Sequence, residues 1–378
     1  MNNMVIVGGG PIGLSLALRL KQEGWKPVVI EEHSAVGKPV NCTGLISRSG
    51  VEELGLKIEG CEVNRVRGAK IYAPDNSMLE IRRHDFVAHV IDREAFDRGF
   101  YDAAVKAGVD VRLGTRLLDI RNETVFVEHG GRGELIKAQL AIGADGAVSK
   151  MRSLMGLHVP ADRLMRTYQV VARGSFDREF VSLYFGGSAK NFFGWIVPES
   201  HELARIGIGT TAGNAKEAFD GFIAERGIQA EAVSQSSSLI PIGEPLKNPA
   251  TESMMLIGDA AFQTKATTGG GIITGLNAVN AAAEVIGANI KKRVPLKNYG
   301  KMLEPLNKEL AMHWKIRTYM NSLTDEKMNR LFAKMKKAGI EDFLSKEGDM
   351  DRPSKFVGKI LTKPRMWGLI PEAMRILR

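Results

Sequence analysis

The sequence predicts a mixed α/β fold with two domains, a doubly wound parallel sheet and an antiparallel sheet inserted into it, followed by a helical C-terminal region. Apolar runs at residues 4–7 and 27–31 flank a glycine turn and an amphipathic stretch at 12–23, which is a strand-helix-strand unit of the parallel type. Four short runs rich in β-branched and aromatic residues follow between residues 166 and 210. From residue 295 onwards the sequence is Lys-rich and lacks strand signals.

Charge divides the chain at nearly the same place. The 378 residues contain 52 Lys+Arg and 43 Asp+Glu. Residues 291–378 hold 21 of these basic and 10 of these acidic side chains, a net charge of +11, whereas residues 1–290 carry −2. A near-neutral body with a basic appendage excludes a uniformly basic nucleic-acid binder, and we expect no nucleic-acid partner. The appendage favours an anionic surface, such as phosphate groups or a membrane.

Composition excludes several other classes of protein. With 44% hydrophobic and 25% charged residues the chain is typical of a globular protein rather than a disordered one. Two cysteines, Cys42 and Cys61, cannot form a disulfide framework, so we expect a reducing, cytoplasmic location. The histidines and cysteines lack zinc-site spacing, and we predict no metal. No run reaches the roughly 18 apolar residues that a membrane-spanning helix needs.

Turn and capping residues indicate where the remaining elements begin and end. A Pro-Asp-Asn turn at 74–76 predicts a hairpin from runs 66–73 and 78–82. Asp92 is the expected N-cap of a helix over 93–107. The further predicted strands are 109–120, 140–144, 168–173, 180–185, 192–197, 203–210 and 254–257. The further predicted helices are 214–225 and a Gly/Ala-rich helix that follows the last strand and ends at about residue 287.

A Gly8-x-Gly10-x-x-Gly13 pattern lies between the first strand and the first helix, and Glu31 ends the next strand. The glycines allow a pyrophosphate to approach the helix N-terminus closely, where free N–H groups and the helix dipole favour an anion. Ile12, which lies within the motif, is a further predicted cofactor-binding residue. Glu31 is placed to accept hydrogen bonds from ribose hydroxyls. This Rossmann-like motif predicts a dinucleotide site but does not distinguish FAD from NAD.

Two later motifs distinguish them. Asp145-Gly146 at the end of a strand resembles the aspartate-glycine motif of the flavin monooxygenase superfamily, and Gly258-Asp259 followed by Thr267 to Ile272 resembles its glycine-aspartate partner. Asp259 can bind the ribityl hydroxyls of FAD, and a helix that opens after Gly269, Gly270 and Gly271 directs N–H groups at the flavin pyrimidine edge. We therefore predict FAD as the cofactor; the alternative is that Asp145 is a turn residue and Asp259 a helix cap.

With these motifs the chain resembles the geranylgeranyl reductase family, which saturates isoprenoid chains of archaeal membrane lipids. The most specific segments are 38–44 (KPVNCTG), 92–97 (DREAFD), 193–198 (FGWIVP) and 267–272 (TTGGGI). The resemblance implies that Cys42 and Gly44 lie beside the isoalloxazine ring. It also implies that Arg93 reaches the phosphate and ribose of FAD and that the backbone near Leu117 borders the adenine. The chain departs from many members in its Cys-to-Gly spacing and in having Ala266 where proline is usual.

An aromatic cluster suits an isoprenoid substrate. Residues 176–195 hold seven of the 25 aromatic residues of the chain. Alternation along strands puts Phe193 and Trp195 on one face, and with Tyr184 they are the predicted substrate-binding residues. The alternative is an ordinary sheet core. Cys42 is the predicted proton donor, and its alternative is an ordinary loop residue.

These inferences predict an FAD-dependent reductase that saturates C=C bonds of geranylgeranyl chains of phospholipids or their precursors. A flavin monooxygenase or halogenase is the first alternative, and a non-catalytic flavoprotein that carries electrons or presents lipid is the second. A pattern at Gly207-x-Gly209-x-x-Ala212 is discounted as a nicotinamide site, because no strand ending in an acidic residue follows it. The electron donor is then external: NAD(P)H, a ferredoxin or a deazaflavin.

The predicted domains are discontinuous. Residues 1–65, 84–160 and 250–290 form the FAD-binding domain, 66–83 and 161–249 the inserted antiparallel β-sheet substrate domain, and 291–378 the basic helical C-terminal region. The segment 354–378 mixes cations with apolar residues such as Leu361 and Trp367 and ends at Arg378. It is either an interfacial segment in peripheral contact with an anionic membrane at its cytoplasmic face or a helical lid packed on the body.

Overall fold

The computed structural model describes residues 4–360 and 362–377. The strands are β1 (Met4–Val7), β2 (Pro27–Ile30), β3 (Leu45–Ser47), β4 (Glu62–Val66), β5 (Gly68–Tyr72), β6 (Met78–Arg82), β7 (Ala88–Ile91), β8 (Asp110–Arg112), β9 (Thr115–Arg121), β10 (Thr124–His129), β11 (Arg132–Lys137), β12 (Leu140–Gly143), β13 (Leu164–Arg173), β14 (Phe180–Gly186), β15 (Ala189–Pro198), β16 (Leu203–Thr210), β17 (Glu231–Pro241) and β18 (Met254–Leu256). The helices are α1 (Pro11–Gln22), α2 (Arg48–Leu54), α3 (Arg93–Lys106), α4 (Lys150–Leu154), α5 (Ala215–Arg226), α6 (Ile272–Lys292), α7 (Asn298–Met302), α8 (Glu304–Asn321), α9 (Asp325–Lys337), α10 (Ile340–Glu347), α11 (Ser354–Ile360) and α12 (Ile370–Leu377). Short 3-10 helices lie at Ala161–Arg163, Gly258–Ala261 and Pro364–Leu369.

A five-stranded parallel sheet forms the base of the molecule, in the order β18-β12-β1-β2-β8. Every residue of β1 is buried because helices α1 and α6 cover one face and strands β9 to β11 cover the other. Met4 and Ile6 pack against the helices, and Val5 and Val7 pack against the other layer. The predicted mixed α/β fold is therefore confirmed.

Two parts of this region differ from the prediction. The predicted strand 109–120 is two strands, since Gly114, at φ +61°, turns the chain from β8 in the parallel sheet to β9 in a separate antiparallel sheet, β9-β10-β11. A second unpredicted sheet, β3-β7-β4, follows the loop that contains Cys42. Its strands are three to five residues long, too short to show a clear alternation in sequence.

A seven-stranded sheet has the order β17-β13-β16-β15-β14-β5-β6. The predicted hairpin belongs to it as β5 and β6, and β5 pairs with β14 in parallel, so the sheet is mixed rather than wholly antiparallel. Within this sheet, strand β17 was not predicted from the sequence: Glu231–Pro241 is mostly polar and exposed because it lies at the edge of the sheet. Helix α5, capped by Asn214, covers one face.

The C-terminal helices pack on the opposite edge of this sheet. Phe332 and Phe343 join Leu79 of β6 in one apolar cluster. The side chains of Glu341 and Ser345 accept hydrogen bonds from backbone N–H groups of β6, at 2.8 and 3.1 Å, which protects the sheet edge. The predicted basic appendage is therefore an integral part of the body.

Two residues of the predicted interfacial segment, Leu361 and Arg378, lie outside the described residues. Within residues 4–360 and 362–377, no helix is both long enough and apolar enough to cross a bilayer. The predicted domain boundaries stay a prediction.

Candidate active site

A cavity of about 1250 Å³ lies where the parallel sheet, the seven-stranded sheet and the C-terminal helices meet. Its floor is formed by residues that follow β1, β12 and β18, among them Gly10, Gly146 and Asp259. Trp195 of β15 and Met350, between α10 and α11, line other walls. Open sheets of this type bind ligands outside the carboxyl ends of their strands, which is where this cavity lies.

The glycine turn after β1 brings the chain close to the segment after β12. Gly8 has φ +110°, and a Cβ there would overlap the carbonyl oxygen of Ala144. A Cβ on Gly13 would likewise overlap the Gly8 carbonyl. Helix α1 begins after Gly10 without a side-chain cap, so its first N–H groups stay free beside the cavity that Gly10 and Ile12 line. This geometry suits an anionic group at the helix N-terminus.

Glu31 stabilises this glycine turn through hydrogen bonds. Its carboxylate accepts a 2.6 Å hydrogen bond from the Gly9 N–H and a 2.9 Å hydrogen bond from the His33 N–H. Glu31 is not among the residues that line the cavity. Its contact with a ribose stays a prediction.

A second helix N-terminus borders the same cavity. Helix α6 follows Gly269, Gly270 and Gly271 without a side-chain cap, and these glycines and Ile272 line the cavity. A Cβ on Gly271 would overlap the carboxylate of Asp259. Burial raises the pKa of Asp259, although a 3.0 Å hydrogen bond from Thr264 Oγ1 and the charge of Arg93 act in the opposite direction. A buried acceptor thus lies beside the N-terminus of α6, which has no side-chain cap.

Arg93 and Cys42 meet in the cavity wall. Arg93 donates two hydrogen bonds to Asp97, at 3.0 and 2.9 Å. Burial lowers the pKa of Arg93, but Cys42 and Asp97 raise it more, so the net shift is upward. The Cys42 sulfur accepts a 3.3 Å hydrogen bond from the Gly44 N–H. Both predicted residues therefore line one wall, with the thiol beside a fixed cation.

Three further predicted cofactor residues, Gly44, Leu117 and Asp145, do not line the cavity and pack behind the residues that do. Gly44, at φ +65°, packs against the Ile91 carbonyl, and Leu117 is buried in β9. The Asp145 carboxylate accepts hydrogen bonds from Ser149 Oγ and Met151 N, at 2.7 and 2.9 Å, at the start of α4. Burial raises the pKa of Asp145. Ser149 is the N-cap of α4, and Asp145 supports it; the neighbour of Asp145, Gly146, is the one that lines the cavity.

The predicted aromatic wall is present in part. Phe193 and Trp195 line the cavity, and the Trp195 indole donates a 3.2 Å hydrogen bond to Gln169. Tyr184 lies on the other face of the sheet, stacked on Tyr72 at 4.6 Å between ring centroids. Because side chains alternate along a strand, its neighbour Leu183 is the cavity residue. Tyr184 is not among the residues that line the cavity, and its role in substrate binding stays a prediction.

The sequence did not predict the part played by the C-terminal region. Lys265 lines the cavity and pairs with Asp351 at 2.5 Å, and the buried His313 and Arg317 contact the backbone or side chains of residues 266 and 267. Lys265 lies between Gly258-Asp259 and Thr267 to Ile272, the two parts of the predicted motif. Nothing in the sequence links positions 265 and 351, which are 86 residues apart.

These observations fit an FAD molecule. Two helix N-termini supply free N–H groups for a diphosphate and for the polar edge of a flavin, and Asp259 supplies a buried acceptor for hydroxyl groups. Side chains at Gly8, Gly13 and Gly271 would overlap neighbouring atoms of this frame. The fold and the site together define an FAD-binding flavoprotein.

Comparisons with known proteins agree. The family profile described as FAD binding domain matches residues 2–219. The digeranylgeranylglycerophospholipid reductase 2 of Methanococcoides burtonii is 30% identical over 312 residues, which cover 77% of this chain and 76% of that protein. An uncharacterized protein of Methanocaldococcus jannaschii is 30% identical over 375 residues, or 95% and 94% of the two chains. The chain belongs to the family defined by this FAD binding domain, and its cofactor is FAD.

Solved structures show the same fold. The crystal structure of a geranylgeranyl bacteriochlorophyll reductase-like protein from Thermoplasma acidophilum superposes with a TM-score of 0.86 and 22% identity, covering 99% of this chain and 100% of the other. A flavin-dependent halogenase superposes with a TM-score of 0.69 and 17% identity, covering 93% and 72%. At these identities the likeness concerns the fold alone.

Proposed function

We propose that the protein is an FAD-dependent reductase that saturates C=C bonds of geranylgeranyl chains carried by membrane phospholipids or their precursors. The observation that supports this most is the continuity of the cavity. It runs from the proposed flavin elements at Asp259 and Gly271 to an apolar wall that includes Val181, Leu183 and Trp195. The names of the digeranylgeranylglycerophospholipid reductases among its relatives support the same substrate class.

The chemistry divides between cofactor and protein. FAD, when bound and reduced, supplies a hydride. The apolar wall formed by Phe193 and Trp195 holds the alkene in place and excludes water from it. The Cys42 thiol, fixed by the Gly44 N–H, supplies a proton to the second carbon, directly or through an ordered water. Both partners are needed because an unactivated alkene accepts hydride poorly without simultaneous protonation.

The electrons come from an external donor: NAD(P)H, a ferredoxin or a deazaflavin. The pattern at Gly207 and Gly209 lies inside β16, where a Cβ would overlap Trp195 or crowd the Phe192 ring. Those glycines make room for aromatic side chains and do not form a phosphate-binding turn.

Contact with a membrane surface at its cytoplasmic face is part of the proposal. Trp367 and Met374 are 57% and 42% exposed, close in sequence to the exposed cations Lys363, Arg365 and Arg375. Exposed aromatic and basic side chains together suit an interface with anionic headgroups. Trp367→Ser should weaken salt-sensitive cosedimentation with anionic vesicles, whereas Leu135→Ser, at a 66% exposed site on β11, should not. Equal loss in both variants, or in neither, would contradict this contact.

The reductase activity is tested by flavin reoxidation without oxygen. Protein reduced with dithionite is mixed anaerobically with a geranylgeranyl phospholipid, and flavin absorbance is followed. We expect absorbance to return with this lipid but not with its fully saturated counterpart. Return only after oxygen and an aromatic substrate are added would indicate a monooxygenase or halogenase. No substrate-dependent return under either condition would indicate an electron carrier.

A further inference from the structure

The C-terminal region reaches the cavity through a buried ion pair. Lys265 Nζ lies 2.5 Å from Asp351 Oδ1, and the two side chains are 5% and 12% exposed. Lys265 belongs to the turn that precedes α6, and Asp351 belongs to the segment between α10 and α11. Burial raises the pKa of Asp351, but the charge of Lys265 and the hydrogen bonds from Lys265 and Ser47 act in the opposite direction, and the net shift is downward.

The second carboxylate oxygen of Asp351 contacts a different segment, the end of β3. It accepts a hydrogen bond from the Ser47 hydroxyl, and Ser47 also caps α2 by accepting from the Gly50 N–H at 3.1 Å. Ser47 ends β3, the strand that directly follows the Cys42 loop. Asp351 therefore joins two segments that are separate in sequence and that both border the cavity.

Two further C-terminal side chains hold the same turn. Arg317 donates to the carbonyl oxygens of Ala266 and Thr267, at 3.0 and 2.8 Å. His313 Nε2 lies 3.2 Å from the Asp351 carbonyl oxygen, which can only accept, so this nitrogen carries the proton. Nδ1 then accepts from the Thr267 hydroxyl at 2.6 Å. Groups from α8 and the 348–353 segment thus hold residues 265–267, in addition to the backbone hydrogen bonds within the turn itself.

The position of Lys265 gives this contact an electrostatic consequence. A Cβ built on Gly270 would lie 2.9 Å from Lys265 Cε and 3.4 Å from its Nζ, so the cation lies against the glycine turn at the start of α6. Asp351 balances that cation. Without the carboxylate, the turn would carry a net positive charge in a poorly hydrated site, where charges interact strongly.

We propose that Asp351 is a positioning residue for FAD: it fixes the turn at residues 264–271 against β3 and balances the charge of Lys265 there. The C-terminal region thereby sets both the affinity for FAD and its midpoint potential. This inference rests on the proposed placement of FAD in the cavity and is independent of the lipid substrate.

The test uses full-length protein stripped of FAD and titrated with FAD, together with the midpoint potential of the reloaded protein. We expect Asp351→Asn to raise the dissociation constant about tenfold, because it breaks a buried pair, and to shift the potential to a less negative value. Lys265→Met should shift the potential in the opposite direction. The double variant, which removes both charges, should return close to the wild-type potential.

Glu372→Gln is the matched control, since Glu372 pairs with Lys334 at 3.0 Å in the same region but outside the cavity lining. It should change neither quantity. Ser47→Ala removes the hydrogen bond to Asp351 together with the cap of α2, but it removes no charge. It should weaken FAD binding without a shift in potential and serves if Asp351→Asn fails to fold. Wild-type affinity and potential in both Asp351→Asn and Ser47→Ala, or shifts of the same sign in both single charge variants, would overturn the inference. Neither readout involves lipid, so failure here leaves the reductase proposal standing, and the converse also holds.

Discussion

The backbone carbonyl oxygen of Cys42 accepts a 3.1 Å hydrogen bond from Nη1 of Arg205. Arg205 lies on β16, is 6% exposed, and its Nε pairs with Glu199 at 2.5 Å. The seven-stranded sheet thus holds the loop that carries the proposed proton donor. The sheet lines the substrate side of the cavity, and through Arg205 it fixes Cys42 on the flavin side.

Replacing Arg205 should loosen this loop. Arg205→Met removes the hydrogen bond to Cys42 and leaves the Glu199 carboxylate buried without its partner. We expect a loss of roughly 3 kcal/mol in the free energy of unfolding and a slower lipid-dependent reoxidation of the flavin. Urea unfolding and stopped-flow absorbance measure the two effects. Arg116→Met breaks the exposed 3.1 Å pair with Glu128 and should change neither; equal effects in both variants would contradict the specific role of Arg205.

Gly44 should tolerate no side chain. At φ +65°, a Cβ there would overlap the Ile91 carbonyl oxygen and crowd Arg205 Nη1. Gly44→Ala should therefore lower the free energy of unfolding by more than the roughly 1 kcal/mol expected from backbone strain alone, and should reduce the FAD content of the purified protein. Gly130→Ala is the control, since Gly130 has φ +57° with open space around it. Its loss of stability therefore measures the backbone strain without any steric overlap. Equal losses in the two variants would show that the close approach at Gly44 has no effect.

Cys42→Ala separates proton donation from cofactor binding. A general acid contributes roughly 10²- to 10⁴-fold to a rate, so we expect lipid reduction to slow by about 10²-fold or more while FAD affinity stays the same. Single-turnover reoxidation and FAD titration measure the two quantities. A rate within a few-fold of the wild type would show that a water or another group donates the proton without Cys42.

Trp195 and Tyr184 form a matched pair on opposite faces of the sheet. Trp195→Phe replaces the indole in the cavity wall by a smaller ring and leaves the Gln169 amide oxygen without the indole N–H donor. We expect KM for the geranylgeranyl lipid to rise several-fold with little change in kcat, because the loss is in substrate binding. Tyr184→Phe should change neither constant, since Tyr184 packs on Tyr72 and Phe222 outside the cavity. An equal rise in KM for both variants would contradict the placement of the substrate.

His313 should make stability depend on pH. Burial and the nearby Lys265 lower its pKa from about 6.5 to about 4, so below pH 6.5 the unfolded state binds a proton that the folded state does not. Stability therefore falls as the pH drops from about 6.5 to about 4, by about 3 kcal/mol from this residue. Urea unfolding at pH 7 and pH 4.5 measures it, and His313→Gln should show a smaller difference between the two. An unchanged difference would contradict the buried neutral imidazole.

The parallel sheet and its glycine motifs were predictable because their signals are local. Apolar runs and turns around Gly8 and Gly258 fix strands and helix starts within a few residues. Strand β17 was not predicted, since an exposed edge strand needs no apolar alternation. The face of the sheet on which Tyr184 lies could not be predicted, because composition identifies an aromatic cluster but not its register.

The contribution of the C-terminal region could not be predicted either. Asp351 reaches Lys265 and Ser47 from positions 86 and 304 residues away, and only the folded chain brings these groups together. Net charge marked residues 291–378 as unusual and favoured an anionic surface. The structure shows that Asp351, His313 and Arg317 also face inwards and hold the turn before α6.

The mass of the lipid after reaction tests the central proposal most directly. Dithionite-reduced protein is incubated with a geranylgeranyl phospholipid in the absence of oxygen, and the extracted lipid is examined by mass spectrometry. Reduction predicts a gain of two hydrogens for each double bond saturated, with wild-type protein and with Tyr184→Phe, and far less product with Cys42→Ala. A lipid recovered at its original mass, from protein that retains its FAD, would contradict the proposal.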